Sequence, residues 1–319
     1  MTVLKGNLFF PSTTPFEPLK IPEVINEDSN YYYSVSLSLK EKKIQKGDYN
    51  MSDVKPEDRI LNCIPSQDVE TDWGYTAALG AEILEKPKKI PPSVDLRAKW
   101  WDIGDQLDTG SCVGWASADA ILRWHMVKAQ KINENEKLSV RFQWMAAKES
   151  DEFPEPATCL ESYGTSLKAA LDIARNYGSI PDKEVPFEPE KLSHMSPYAF
   201  YALASKYKIA NYFNLRKPGI SWDKVKQRWK EWIATNGPIM TRLDVDATWD
   251  NAENTQGQLD KYKPDTSRGG HAISIVGYTD DRFIIRNSWG TAWGDNGFAY
   301  ASMDYAKDAF TEAYGVTVV

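Results

Sequence analysis

Apolar positions change their period along this chain. Behind Cys112 they return every three or four residues, at Val113, Ala116, Ala120, Trp124 and Val127, which is the repeat of one helix face. The same repeat runs through L-S-V-R-F-Q-W-M-A-A-K-E from Leu138 and through T-S-L-K-A-A-L-D-I-A-R-N-Y-G from Thr165. The second of these has Thr and Ser at its start and Gly178 just past its end, a well-marked helix. Residues 222–235, W-D-K-V-K-Q-R-W-K-E-W-I-A-T, form another amphipathic pattern that stops at Asn236-Gly237-Pro238. Beyond it the period shortens. P-I-M-T-R-L-D-V-D reads as a strand, and Ala272 to Tyr278 as a second. Thr279-Asp280-Asp281 signals a turn, and Arg282 to Arg286 a third strand, so the last two pair as a hairpin. Helical patterns up to about residue 210, then one further helix followed by strands, predict an α+β fold.

The first ninety residues carry a different pattern. Val3 to Phe10 and the alternating Y-Y-Y-S-V-S-L-S-L at 31–39 read as strands, with a Pro-, Thr- and Glu-rich irregular stretch between them. Lys40 to Met51 is a charged loop. Asp72-Trp73-Gly74-Tyr75 leads into a short helix or extended arm, T-A-A-L-G-A-E-I-L-E, and K-P-K-K-I-P-P at 86–92 reads as a linker. The chain is therefore divided at residue 90, with segments 1–90 and 91–319. Residues 149–161 and 246–268 are polar stretches expected to be loops. No internal repeat is present.

Composition narrows the class. The 319 residues are 42% hydrophobic and 26% charged, ordinary for a globular protein. A formal net charge of −7 gives no support for nucleic-acid binding. No apolar run reaches transmembrane length. The N-terminus lacks a long apolar core with a small-residue cleavage site, so no secretory signal is expected. Three cysteines, Cys63, Cys112 and Cys159, are too few for a disulfide framework once one is set aside as a nucleophile. A reducing, cytoplasmic compartment is the expectation. No Cys-x-x-Cys or His-x-x-x-His spacing suggests zinc, and no metal or organic cofactor is expected.

Candidate chemistry centres on two stretches. In G-D-Q-L-D-T-G-S-C-V-G-W-A-S-A-D-A, residues 104–120, a Gly-Ser pair delivers the chain to Cys112 at the start of a helix. The free N–H groups and positive dipole end there favour a thiolate, the nucleophilic form. Gln106, six residues upstream, can donate its amide hydrogen beside the Cys112 N–H, and two converging donors make an oxyanion hole. A lone buried cysteine is more often a small hydrophobe; the second stretch changes that reading. Residues 269–300 place His271 at the start of one hairpin strand and Asn287 at the end of the other. Asn287 can then hold one ring nitrogen and leave the other for the nucleophile. The other histidines fit less well. His125 lies thirteen residues down the Cys112 helix, roughly 20 Å away along its axis. His194 sits in H-M-S-P with no orienting partner.

Together these stretches resemble the papain-like cysteine peptidases, through Gln106, Ser111, Cys112, His271 and the run N-S-W-G-T-A-W-G-D-N-G-F from Asn287. P-P-S-V-D-L-R at 91–97 resembles the start of a mature domain of that family. The resemblance covers residues 91–319. It implies a two-lobed fold with a helical lobe (about 110–210) carrying Cys112 and a β-rich lobe (about 211–319) carrying His271 and Asn287. It implies peptide-bond hydrolysis of a peptide or protein substrate by Cys112, His271, Asn287 and Gln106. Trp289 would shield the His271–Asn287 bond, Gly164 and Gly270 would align the substrate, and Ser166 and Ala272 would line the main specificity pocket; Gly164 reads equally well as a plain helix-entry glycine. Residues 1–90 would take the place of an inhibitory propeptide, although the usual helical propeptide motif is not visible. The chain departs from the family pattern at Thr109, usually a cysteine, and at Val113, usually tryptophan. Two alternatives stay open: acyl transfer to an amine through the same triad, and a non-catalytic peptide-binding relative. Nothing in the sequence sets the oligomeric state.

Overall fold

A computed structural model describes residues 54–85, 89–151, 161–188 and 196–318. The chain divides between Tyr49 and Asn50, and all described residues belong to the unit 50–319. The strands expected at 3–10 and 31–39, together with Cys159 and His194, lie outside the described residues.

One sheet runs through the unit. Its strands are β1 (Val94–Asp95), β2 (Ile209–Asn214), β3 (Ile239–Val245), β4 (Gln258–Leu259), β5 (Gly269–Tyr278), β6 (Arg282–Arg286), β7 (Phe298–Ser302) and β8 (Phe310–Val318). Their order is β2-β8-β3-β5-β6-β7-β4, with β1 added beside β5. The β5–β6 hairpin forms as its turn signal predicts, with Ser274 opposite Arg286 and Tyr278 opposite Phe283. β5 starts three residues earlier than its apolar run, because Gly269, Gly270 and His271 pair with Val245, Asp244 and Leu243 of β3. β8, the C-terminal strand, lies inside the sheet between β2 and β3.

The expected helices form with the caps their sequences carry. Helix Val140–Ser150 starts at Ser139, whose hydroxyl accepts from the Phe142 N–H. Helix Leu167–Asn176 starts at Ser166, which accepts from Ala169. It ends at Gly178, whose φ of +95° suits glycine. A side chain there would also meet the Ala204 carbonyl at 2.0 Å. Helix Trp222–Thr235 buries Val225, Trp229, Trp232 and Ile233 on one face. Trp229 packs edge-on against Phe283 and Phe310, seating the helix on the sheet. Two helices, Pro197–Ala204 and Met303–Ala309, were not marked by the sequence pattern.

Cys112 opens the longest helical run, made of Cys112–Gly114, the wider-wound stretch Trp115–Leu122 and Arg123–Lys128. It is buried along nearly its whole length. Most of its buried side chains enter the helical core, while Ala120 packs into a smaller cluster with Trp101, Val276 and Ile284. The unit has two large cores. One core joins the sheet to helix Trp222–Thr235 through Trp229, Trp232, Tyr278, Phe283 and Phe310. The other joins the helices through Val113, Ile121, Leu122, Leu138 and Leu171 and reaches Tyr314 and Val316 of β8. A helical layer and a β-rich layer, each with its own core, give the expected two-lobed α+β architecture.

The segment ahead of residue 90 contributes to both cores. Tyr75, Ala78 and Leu84 join the first and Cys63 the second. Short helix Tyr75–Gly80 sits within this stretch. Asn62 pairs with Gly270 and Gly74 with Asn214, so residues 54–85 lie as a strap along the domain.

A buried ion cluster locks the two lobes. Asp119, on the Cys112 helix, accepts from Arg286 of β6 at 2.6 Å and from Arg123 at 3.3 Å. Arg123 also reaches Asp102 at 2.7 Å and donates to the carbonyls of Trp100, Glu134 and Glu136. Arg286 lies over the Trp101 ring, 5.0 Å from its centroid. Removing one member of such a cluster strands its partners in low dielectric. Asp119→Ala should lower unfolding stability by roughly 3–5 kcal/mol, read as a drop in the urea midpoint; a loss below about 1 kcal/mol would mean the arginines find other partners.

Candidate active site

The structure brings Cys112, His271, Asn287 and Gln106 to one place. Cys112 is the first residue of its helix, with Ser111 as the preceding cap position. The Ser111 hydroxyl is held by Thr109 at 2.7 Å. Asn287 directly follows β6, and its Oδ1 lies 2.8 Å from His271 Nε2. All three side chains are buried. His271 Nδ1 has no other hydrogen-bond partner among the described residues. It is the nitrogen left for the Cys112 thiol, with which His271 interacts.

The thiol of Cys112 is held well below the usual thiol range. The first cause is a hydrogen bond from Cys63, followed by His271 through both a hydrogen bond and its charge, and by the Ala272 backbone N–H; burial opposes them. Cys63 moves the other way. Burial raises it first, and the hydrogen bond and charge of Cys112 and the charge of Glu312 raise it further. The surroundings thus favour the thiolate at Cys112 and the neutral thiol at Cys63.

Gln106 is fully buried and fixed on both sides of its amide. Its Oε1 accepts from Ser288 Oγ at 3.0 Å and its backbone N–H donates to the Ser288 carbonyl at 2.8 Å. The Nε2 hydrogens point to the carbonyls of Thr109 at 3.0 Å and Ile60 at 3.4 Å. Gly290 donates to the Gly104 carbonyl, so the loop before Cys112 is strapped to the stretch after Asn287.

Trp289 covers the His271 ring, with centroids 5.1 Å apart. The sequence reading missed its companion. Trp249 stands edge-on to His271 at 5.6 Å and to Trp289 at 5.2 Å, and stacks on Trp293 at 4.8 Å. Trp249 is pinned by its indole N–H to Tyr305 Oη, which donates to buried Asp246. Asp246 also accepts from Thr248 and from the Lys263 N–H. The stretch expected to be a plain polar loop is therefore folded around one carboxylate. Its signal was a tryptophan inside a polar segment.

Of the cleft residues expected from the family pattern, Gly164, Gly270 and Ser166 meet the strap. Cys63 N–H donates to the Gly270 carbonyl at 2.9 Å, and Ile64 N–H to Thr165 at 3.2 Å. Gly164 lies so close to Asn62 that a Cβ would sit 2.1 Å from the Asn62 carbonyl oxygen. Ala272 offers its backbone N–H to Cys112. Ser166 turns its hydroxyl to Asp151 at 2.8 Å and borders a cavity of about 240 Å³ with Ile64 and Lys168. At the other end, Arg59 pairs with Asp105, donates to Leu107 and stands over Trp289. Next to it a cavity of about 390 Å³ opens between Pro56, Asp250 and Trp293. Among the described residues, no cluster of three or more His, Cys, Asp or Glu side chains could hold a metal ion, and no helix is long and apolar enough to cross a membrane.

Comparison with known proteins places this geometry. The model of the papain family cysteine proteases matches residues 90–317, and the chain belongs to that family. Mouse cathepsin K is 26% identical over 259 residues, covering 79% of this chain and 70% of that protein. Peptidase 1 of Dermatophagoides pteronyssinus is 27% identical over 143 residues, 43% of this chain. The match spans 41% of the length of that relative. Among solved structures, xylellain, a cysteine protease from Xylella fastidiosa, superposes with a TM-score of 0.65 at 23% identity, covering 82% of this chain and 97% of that one. Procathepsin L 3 of Tenebrio molitor gives 0.53 at 15% identity, covering 81% and 77%.

If Cys63 and His271 both hold Cys112 as a thiolate, its alkylation by iodoacetamide should persist as pH falls below the ordinary thiol range. His271→Ala and Cys63→Ala should each move that pH profile upward, checked by mass mapping of the labelled cysteine. An unmoved profile in both variants would mean that neither group sets the thiolate.

Proposed function

We propose that the protein is a cysteine endopeptidase acting through Cys112, His271, Asn287 and Gln106, and that its own strap holds it inactive. The observation that carries the first half is the Asn287–His271 hydrogen bond at 2.8 Å, which leaves Nδ1 for a thiol at a helix N-terminus. Cys112 thiolate attacks a peptide carbonyl carbon. Once the strap withdraws and frees the Gln106 Nε2 hydrogen now pointing to the Ile60 carbonyl, that hydrogen and the Cys112 N–H take the developing oxyanion, and His271 as imidazolium protonates the leaving amine. Water then attacks the thioester, with His271 as base, and Cys112 is released. Asn287 keeps the ring aimed, and the Trp289–Trp249 wall keeps water from that bond.

The strap occupies the places a substrate would need. Residues 62–64 take up the main-chain groups of Gly270 and Thr165. An extended peptide bound along this edge would form the same kind of bonds. Yet the strap presents no scissile group. A thiol faces Cys112, and the Cys63 carbonyl is instead bound by Arg242 Nε at 2.9 Å. The strap is tethered to the domain, so even weak binding keeps the cleft filled.

Two variants test the two halves. Gln106→Glu keeps an acceptor for Ser288 but loses the donor to the oxyanion, so kcat should fall by roughly 100- to 1,000-fold with a retained melting temperature; unchanged kcat would exclude the oxyanion role. Arg59→Ala removes the buried anchor to Asp105 and should raise peptidase activity of the full chain severalfold on a fluorogenic peptide. A variant that is folded and no more active than the parent would exclude inhibition by the strap.

A further inference from the structure

The side chain that meets the nucleophile is itself a cysteine. Cys63 is fastened on three sides: its N–H to Gly270, its carbonyl to Arg242, and the next N–H to Thr165. Its side chain lies in the same buried core as Cys112, and the two thiols act on each other. The thiol also makes a long contact, 3.9 Å, to the Ile64 carbonyl. Both sulfurs are free thiols, buried in the same core. Inhibition of the cleft requires only a chain in the way; it does not require a thiol against the nucleophile.

We infer that Cys63 and Cys112 form an oxidative modification site, in which hydrogen peroxide converts the pair into a disulfide that fastens the strap covalently over the active site. This rests on the reading of Cys112 as nucleophile and of residues 59–66 as cleft occupant. Cys112 thiolate attacks one peroxide oxygen. The S–O bond forms, the O–O bond breaks, and the leaving hydroxide takes a proton to become water. Cys112 is now a sulfenic acid, oxidised by two electrons, and the peroxide is reduced. Cys63 sulfur then displaces the hydroxyl group. The S–S bond forms, the S–O bond breaks, and the Cys63 proton leaves with the hydroxyl as a second water. His271 Nδ1 is placed to carry that proton. Loss of the Cys112 negative charge at the first step also removes one of the causes that keep Cys63 protonated. A dithiol reverses the link by exchange. Because the sulfenic acid is consumed, the nucleophile is protected from irreversible oxidation to the sulfinic acid.

The test uses the full chain and hydrogen peroxide. Reduced protein is first checked for alkylation at Cys112 and for peptide hydrolysis in the Arg59→Ala background. It is then treated with peroxide, digested without reduction, and mapped by mass spectrometry. The expected result is a peptide linking Cys63 to Cys112, lighter by two hydrogens, with activity lost and then restored by dithiothreitol. Cys63→Ser should instead lose activity irreversibly, with Cys112 found as sulfinic or sulfonic acid. Protein that alkylates and hydrolyses normally but never forms the 63–112 link, or links Cys112 to Cys159, overturns the site while leaving the peptidase reading intact. Reduced protein that neither alkylates at Cys112 nor cleaves peptide overturns the peptidase reading, and this inference with it. The mapping on the unaltered chain decides the matter even if Cys63→Ser does not fold.

Discussion

A helix N-terminus from one lobe must meet two strand ends from the other within hydrogen-bond distance, and the rest of the structure depends on that meeting. Packing alone does not set a relative position this tightly, since two apolar faces can slide. The buried ions do. Asp119 is two turns along the helix from Cys112, and Arg286 immediately precedes Asn287. Their contact therefore fixes the nucleophile and the His271-orienting residue with one bond. Buried charge is costly to desolvate, and such a cluster adds little net stability over apolar packing. What it supplies here is register between the lobes. The pairing of Gln106 with Ser288 and of Gly104 with Gly290 adds a second tie at the same level.

Low local dielectric raises the stakes for each polar group at the site. Trp289, Trp249 and Trp293 wall off His271 from solvent, so the His271–Asn287 bond does not compete with water. The same burial disfavours a thiolate at Cys112. The thiol is nevertheless held low because several groups converge on it: Cys63, His271 and the Ala272 N–H. Cys63, with fewer favourable neighbours and the Glu312 charge nearby, is driven to the neutral form by burial. Two identical side chains are thus pushed in opposite directions by what surrounds them.

The strap uses main-chain recognition where a substrate would. Its contacts at Gly270 and Thr165 are backbone to backbone, indifferent to side-chain identity. Gly164 has no room for a side chain beside Asn62, so any extended chain in that place approaches the glycine as closely. Specific anchoring comes from the ends: Arg59 on Asp105, and Asp72 between Tyr314 and Lys168.

The local elements and the reacting residues were legible in the sequence because their signals are local. Helical periodicity, Ser139 and Ser166 at helix starts, Gly178 at a helix end, and the 279–281 turn each act over a few residues, and the structure forms those elements. Cys112, His271, Asn287 and Gln106 stood out by motif, and they do converge. Other features were set only by the tertiary fold. β8 and helix Met303–Ala309 take their places from pairing with distant strands. Asp246 and Trp249 acquire meaning only when Tyr305 closes on them. Residues 54–85 read as a segment apart from the domain, because nothing along the chain shows that Cys63, Tyr75 and Leu84 are buried against residues up to two hundred positions away. By itself the sequence determined the elements and the reacting groups, through interactions within a few residues. The tertiary structure alone decided which lobe faces which, what fills the cleft and which thiol meets Cys112, because those outcomes depend on contacts between segments with no sequence proximity to record them.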